Sequence, residues 1–316
     1  MFAISGDYGR QRNARLRSAK CAGYSLIELM TSMAILLLVS GGVLSLINFY
    51  QQSYVRTEVH SDMYENVRGV AELMTQEIGQ AGLVSLPATT LTAAVSSSAS
   101  AQAVAVSQTA SMFVGEKLLV DAGTNEETVT LTAVGSSTMT AVFSKAHASG
   151  APVTALGVFP QGIMPSGVTD GSTTNTLNLF GDINGDGSLV YVRYVCTPGT
   201  QAAPGTLTRS VTTITPGNTT ISAAQTMLST VITPSGGSST CFTVNNVSSN
   251  GYTFVTNVGF SLSVQSARPD PQTGAYATMT KSFLNLAPRN VVAGYELAQN
   301  SLTYRLQASP TNVASY

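Results

Sequence analysis

Tryptophan is absent from this chain, histidine occurs twice, cysteine three times, and only 10% of the 316 residues are charged. Each shortage removes a class of chemistry. His60 and His147 stand far apart, with no cysteine or carboxylate at ligand spacing, which excludes the usual zinc patterns. His147, in Ala146-His147-Ala148-Ser149-Gly150, reads as a turn residue. There is no ordered Ser, His and Asp set, no glycine-rich phosphate loop and no pair of carboxylates on neighbouring apolar elements, so the chain does not read as an enzyme. With 15 Lys/Arg against 16 Asp/Glu there is no basic stripe, and direct nucleic-acid binding is not predicted.

What the chain does have is one long apolar run close to its start. From Leu29 to Phe49 it is nearly free of charge and rich in Leu, Ile, Val and Met. At about 1.5 Å per residue a helix there covers roughly 30 Å, the thickness of a bilayer core. The flank before it carries Arg10, Arg12, Arg15, Arg17 and Lys20 against Asp7, which predicts a cytoplasmic N-terminus and an exported body. A secretory signal places its small-residue cleavage site after the apolar region. Here Ala22-Gly23 precedes it, so a cut after Gly23 would keep the apolar helix in the mature protein.

Glu28 is the one acid in this region, and a carboxylate at the edge of a membrane helix has a cost. Two readings stand. It lies at headgroup level, where an acid suits the positive end of the helix dipole; or it pairs with the amino group that cleavage creates on Tyr24 of a neighbouring subunit.

Gly23 followed by Tyr24-Ser25-Leu26-Ile27-Glu28-Leu29 and an apolar helix resembles the prepilin cleavage and methylation motif of type IV pilins and type II secretion pseudopilins. The resemblance implies cleavage by a prepilin peptidase between Gly23 and Tyr24 and N-methylation of Tyr24, with Glu28 supporting methylation and docking into a filament. Tyr24 departs from the usual phenylalanine or methionine. The strong likeness covers residues 20–82. Beyond it, the chain length and the ending Leu286-Ala287-Pro288-Arg289-Asn290 look most like PilW-type minor pilins and less closely like GspJ-type pseudopilins.

The implied partners are the prepilin peptidase, other minor and major pilins or pseudopilins, the inner-membrane assembly platform and membrane lipid. The implied location is the inner membrane before assembly, then a pilus or periplasmic pseudopilus. A membrane-anchored surface-binding β module is the alternative from another class; in that case Glu28→Ala would leave surface display intact.

Cleavage after Gly23 would leave ten Lys/Arg and fifteen Asp/Glu, a net charge of −5. Cys21 would go with the leader, while Cys196 and Cys241 remain as an even pair in a compartment where disulfides persist, which predicts a bridge between them.

The predicted fold class is α+β: a long membrane-spanning helix packed on an antiparallel β-sheet head with an inserted small all-β module. Residues 1–23 are the leader. The helix takes 24–82, with a transmembrane half at 26–49 and an amphipathic half at 50–82. In the latter, Val55, Val59, Met63, Val67, Val70, Met74, Ile78 and Ala81 recur at spacings of three and four, with Glu77 and the other charges mostly on different faces. Gly79, Gly82 and Pro87 end it. Gly41-Gly42 reads either as a close-packing surface or as a site that melts on assembly.

Residues 90–156 read as the inserted module, with period-two runs at Lys117 to Asp121, Thr128 to Val134, Thr138 to Phe143 and Ala151 to Thr154. The uncharged Thr89 to Ser111 run reads as a loop or a weak strand pair. The head, 157–316, has expected strands at Leu177 to Phe180, Leu189 to Val195, Gly205 to Val211, Tyr252 to Val255, Val258 to Val264 and Tyr276 to Leu286. The piece from Tyr295 to Tyr316 adds a strand at Leu302 to Leu306 or remains a tail.

No cofactor is required by this reading, with calcium as the one candidate. Asp182, Asn184, Asp186 and Ser188 place oxygens at alternate positions around Gly185 and Gly187, the first half of a calcium loop. The closing glutamate is missing, since Arg193 holds that position. Either another segment completes the shell, or Asp182 to Ser188 is a hairpin turn between Phe180 and Leu189.

Overall fold

A computed structural model describes residues 23–234, 237 and 239–316. Residues 1–22 of the expected leader, with Cys21, lie outside them. The chain divides into two units, residues 1–54 and 55–316.

Helix α1 (Leu26–Gln80) enters both units. In the first, it is an apolar helix long enough to cross a membrane. In the second, Met63, Val67, Val70, Ala71, Met74 and Ile78 form a buried stripe at spacings of three and four. It stops where Gly82 adopts φ +82°; a Cβ there would meet Phe159 O at 3.0 Å.

The next stretch carries β1 (Thr89–Thr90), β2 (Gln102–Ala105), β3 (Lys117–Val120), β4 (Glu127–Thr130), β5 (Ala133–Val134), β6 (Thr138–Ala141) and β7 (Pro152–Ala155). They form two small antiparallel sheets, ordered β1-β7-β3-β4 and β2-β6-β5. The two faces enclose their own apolar cluster, from Leu91 through Leu118, Val129, Met139 and Phe143 to Val153. The uncharged 89–111 run thus supplies one strand to each sheet. The expected strand Thr128 to Val134 is broken after Thr130, and its two parts join different sheets. Buried Gln307 ties this stretch to the C-terminal region: its Oε1 accepts Lys117 N at 2.9 Å and its Nε2 donates to Lys117 O at 2.7 Å.

The remaining strands are β8 (Thr176–Gly181), β9 (Val190–Thr197), β10 (Gly205–Thr213), β11 (Gln225–Val231), β12 (Phe242–Ser249), β13 (Tyr252–Gln265) and β14 (Thr278–Leu286). They make one antiparallel sheet, ordered β12-β13-β11-β10-β9-β8, with β14 paired to β13. Its inner face, including Leu179, Val192, Leu207, Phe260 and Leu262, packs on the α1 stripe from Met63 to Ile78. At about 25 cal/mol per Å², burial of that shared apolar surface is the main force holding helix and sheet together.

Three expectations change. Tyr252 to Val255 and Val258 to Val264 are one strand, because β13 is long enough to pair with β12, β11 and β14, and Asn257 donates to Asn285 at 3.1 Å instead of turning the chain. Strands β11 and β12, rich in Ser, Thr and Asn, were absent from the sequence reading; neighbouring strands supply the pairing that their composition does not announce. The C-terminal piece forms no ladder strand. Helix α2 (Arg289–Gln299) begins just after Pro288, and only Leu306 makes an isolated bridge, to Val158. Gly294 lets α2 approach, since a Cβ there would lie 2.8 Å from Val158 Cγ2.

Candidate processing and assembly site

Gly23 and Tyr24 precede α1, and Tyr24 is 84% exposed, so the Gly23–Tyr24 bond lies in non-helical, accessible backbone. Ser25 O accepts from Glu28 N at 3.0 Å and Leu29 N at 3.1 Å, which makes Ser25 the residue that opens the helix. Ser25 and Glu28 thus stand three apart, the spacing of a capping box, and the Glu28 carboxylate sits in the first turn. There it complements the unpaired N–H groups of the helix start, and a cut after Gly23 would add a free amine two residues upstream.

Fifteen large apolar side chains from Leu26 to Phe49 are exposed. Fully burying such a side chain is worth about 1.5–3 kcal/mol, so together they supply tens of kcal/mol toward lipid or neighbouring helices. Glu28 is the only acid at the head of this surface.

The Asp182 loop is a turn held from within. Asp182 is buried; Oδ1 accepts Gly185 N at 2.7 Å and Asp186 N at 3.1 Å, and Oδ2 accepts Gly187 N at 2.9 Å and the Ser85 hydroxyl. Four donors occupy the carboxylate that would have been the first calcium ligand. Asp186 Oδ1 accepts Ser188 N at 2.8 Å, and Asn184 is exposed. The loop is thus a hairpin turn between β8 and β9, as the second of the two readings has it, and among the described residues no three His, Cys, Asp or Glu side chains are placed together to hold a metal. Gly187, at φ +82°, lets the turn pass Pro87, whose N would lie 2.5 Å from a Cβ.

Cys196 in β9 and Cys241 before β12 form the expected disulfide, both buried, across 45 residues of chain. Closing a loop of that length restricts the unfolded chain by about 4 kcal/mol.

Three buried ionisable groups escaped the sequence reading. Glu77, expected among the outward charges, lies on the buried stripe of α1, three residues after Met74, where the periodicity itself would have placed it. Arg209 of β10 reaches both its oxygens, through Nε at 3.2 Å and through Nη2, and the Tyr194 hydroxyl donates to Oε2. Burial, reinforced by the Glu77 charge, raises the Tyr194 phenol above its ordinary range, so it stays protonated and donates. Burial opposes the charge on Arg209, but its bonds to Glu77 outweigh this and hold it more firmly protonated.

His147 is a bridge partner of Val95 and not a turn residue. Its side chain is fully buried, with Nδ1 3.1 Å from Asp121 Oδ2 and Nε2 2.7 Å from Glu127 Oε1. The His147 bond and that from Ala122 N lower the Asp121 carboxyl; at Glu127, burial pushes upward but bonds from Ser144, His147 and Lys145 prevail and lower it. The third is Glu116, buried ahead of β3. Oε2 accepts Phe113 N at 3.3 Å, Oε1 has no partner, and burial pushes the carboxyl up to about 8. No sequence signal marks either: His147 takes its partners from other strands and turns, and Glu116 is buried by the fold around it.

Residues 18–44 match the family described as the prokaryotic N-terminal methylation motif. No curated protein and no solved structure matches the chain. The match takes in Lys20, Gly23, Tyr24, Glu28 and the apolar run as far as Leu44. It supports a place in the type IV pilin and pseudopilin superfamily. The motif implies processing by prepilin peptidase and assembly with other pilins, and the exposed apolar helix fits anchoring in the inner membrane beforehand.

Proposed function

We propose that this chain is a minor pilin: a non-enzymatic subunit cut after Gly23, N-methylated on Tyr24 and incorporated at the initiating or tip complex of a type IV pilus. The observation that carries the reading is the exposed apolar helix headed by one acid within the matched methylation motif. Before assembly it is parked in the inner membrane with its N-terminus in the cytoplasm and its β-rich head outside. On assembly, the Leu26 to Phe49 surface leaves lipid for neighbouring helices. Glu28 then sets register by pairing with a neighbour's N-terminal amine, because an unpaired charge in a low-dielectric helix core is strongly destabilising. The sheet and the 89–155 strands add bulk that suits a tip or initiating position better than every repeat of a fibre.

Mass spectrometry of the N-terminal peptide, from protein purified out of native membranes, tests this. The expected peptide begins at methylated Tyr24, and Glu28→Ala retains cleavage but loses filament incorporation. A chain that still begins at Met1, or is cut after the apolar run, overturns the filament-subunit reading in favour of an anchored β module.

A further inference from the structure

The large sheet has three edges, because β12 and β11 share one side of β13 and β14 takes the other. The chain covers two of them itself. Along β8, Met164 N donates to Asn178 O at 2.9 Å and Phe180 N to Gly162 O at 2.8 Å, so the 162–164 segment runs against the outer strand. Along β12, Cys241 N and Phe242 N both donate to Thr174 O at 2.9 Å, and Asn246 Nδ2 reaches Ser166 O and Oγ at 3.0 Å.

The third edge is treated differently. Among the described residues, β14 has β13 as its only strand neighbour. Its side-chain bonds also run inward: Ser282 to Ser261 and Thr280 to Ser263 at 2.7 Å, and Asn285 to Asn257 at 3.1 Å. Nine residues long, β14 contains no proline, and its one charge, Lys281, has its ammonium 5.2 Å from the centre of its own strand's Phe283 ring. The usual devices that blunt an edge, proline and outward-reaching charge, are therefore missing or turned aside. Leu284 on this strand is 68% exposed.

We infer that β14 is a strand-addition site that takes an extended segment of a neighbouring filament subunit. An open edge offers alternating N–H and C=O groups that only another extended backbone satisfies in register. A cavity of about 220 Å³ at the Thr278 end lies over Ser263 of β13, between Thr280 and the 232–234 segment, and so does not face the free edge. Backbone pairing supplies the attraction, and the exposed Leu284 offers the added strand an apolar neighbour. The identity of the partner rests on the proposed function: subunits of a helical fibre are related by a screw operation, so β14 meets a different strand from its own counterpart.

The test uses the full-length chain in its native cells, with a photo-crosslinking residue in place of Ser282 or Leu284 and a control at exposed Tyr304. Hydrogen exchange of the 276–286 peptide is followed before and after assembly. Expected are crosslinks from positions 282 and 284 to residues two apart in one segment of a neighbouring subunit, with outward β14 amides slowed at least about tenfold in the filament. Unchanged exchange, crosslinks without a two-residue register, or crosslinks to β14 of a second copy each overturn the inference. An N-terminus left at Met1 defeats the pilin reading separately. The crosslinks are then read in the membrane, where a two-residue register to another chain keeps strand addition and its absence removes it.

Discussion

Glu77, on the buried face of α1, is gripped on both carboxylate oxygens by Arg209 of β10, and the Tyr194 hydroxyl of β9 donates to one of them. The charge pair bolts the helix to the sheet at a point where the surrounding contacts are apolar. Removing one partner leaves the other charge without compensation. Glu77→Ala is expected to destabilise by about 3–5 kcal/mol, lowering the melting temperature by roughly 10 °C. The double change Glu77→Leu with Arg209→Met should recover most of that loss. Thermal unfolding followed by circular dichroism checks both, and an additive double variant would show that the two residues do not act as a pair.

The Cys196–Cys241 bridge joins β9 to the start of β12 across 45 residues. Cys196→Ser with Cys241→Ser is expected to lose about 2–5 kcal/mol, as is typical when an exported domain loses a native bridge. The check is a comparison of melting curves with and without reductant: the wild type should fall to the level of the double variant, which should itself not respond.

With its carboxylate occupied by Ser85 and three backbone N–H groups, Asp182 acts as the anchor of a turn. Asp182→Ala leaves several buried donors unpaired and is expected to destabilise by about 2–3 kcal/mol. Exchanging calcium for chelator should leave the wild-type melting temperature unchanged; a calcium-dependent rise would favour the ion-binding reading of this loop.

Glu116 makes stability depend on pH. Its folded carboxyl titrates at about 8, above the ordinary 4.5, so between those values the folded chain holds a proton that the unfolded chain has released. Stability from this group is therefore complete below about 4.5 and is lost as pH rises toward and through 8. Glu116→Gln keeps a neutral side chain of similar shape at every pH. The wild type should approach or exceed the variant near pH 5 and fall below it by pH 8; melting temperatures measured in parallel read the difference, and parallel curves would contradict the assignment.

The membrane segment was legible because its signal is local. Apolar character from Leu29 to Phe49, the basic flank and the Gly23-to-Glu28 order need no partner to be read, and the matched motif at 18–44 takes in Gly23 to Glu28 and most of that run. The stripe from Met63 to Ile78 was equally plain, although Glu77 was assigned outward by its charge rather than by its position on that stripe. Strands with alternating Val and Leu were found; β11 and β12 were not, because Ser, Thr and Asn form strands only when neighbours hold them. Helix α2 was hidden by Pro288 and Gly294, which mark an ending in isolation but serve here as a helix start and a close contact.

Sequence by itself determined the apolar helix, the methylation motif before it, the acid at its head and the pairing of Cys196 with Cys241, since hydrophobicity, charge and spacing act within a few residues. Tertiary structure alone decided that Asp182 closes a turn, that His147 is buried between two carboxylates, that Glu77 faces inward and that β14 stays open. Each of these depends on which distant groups arrive within about 3 Å, because hydrogen bonds and ion pairs are short-ranged and burial multiplies their worth.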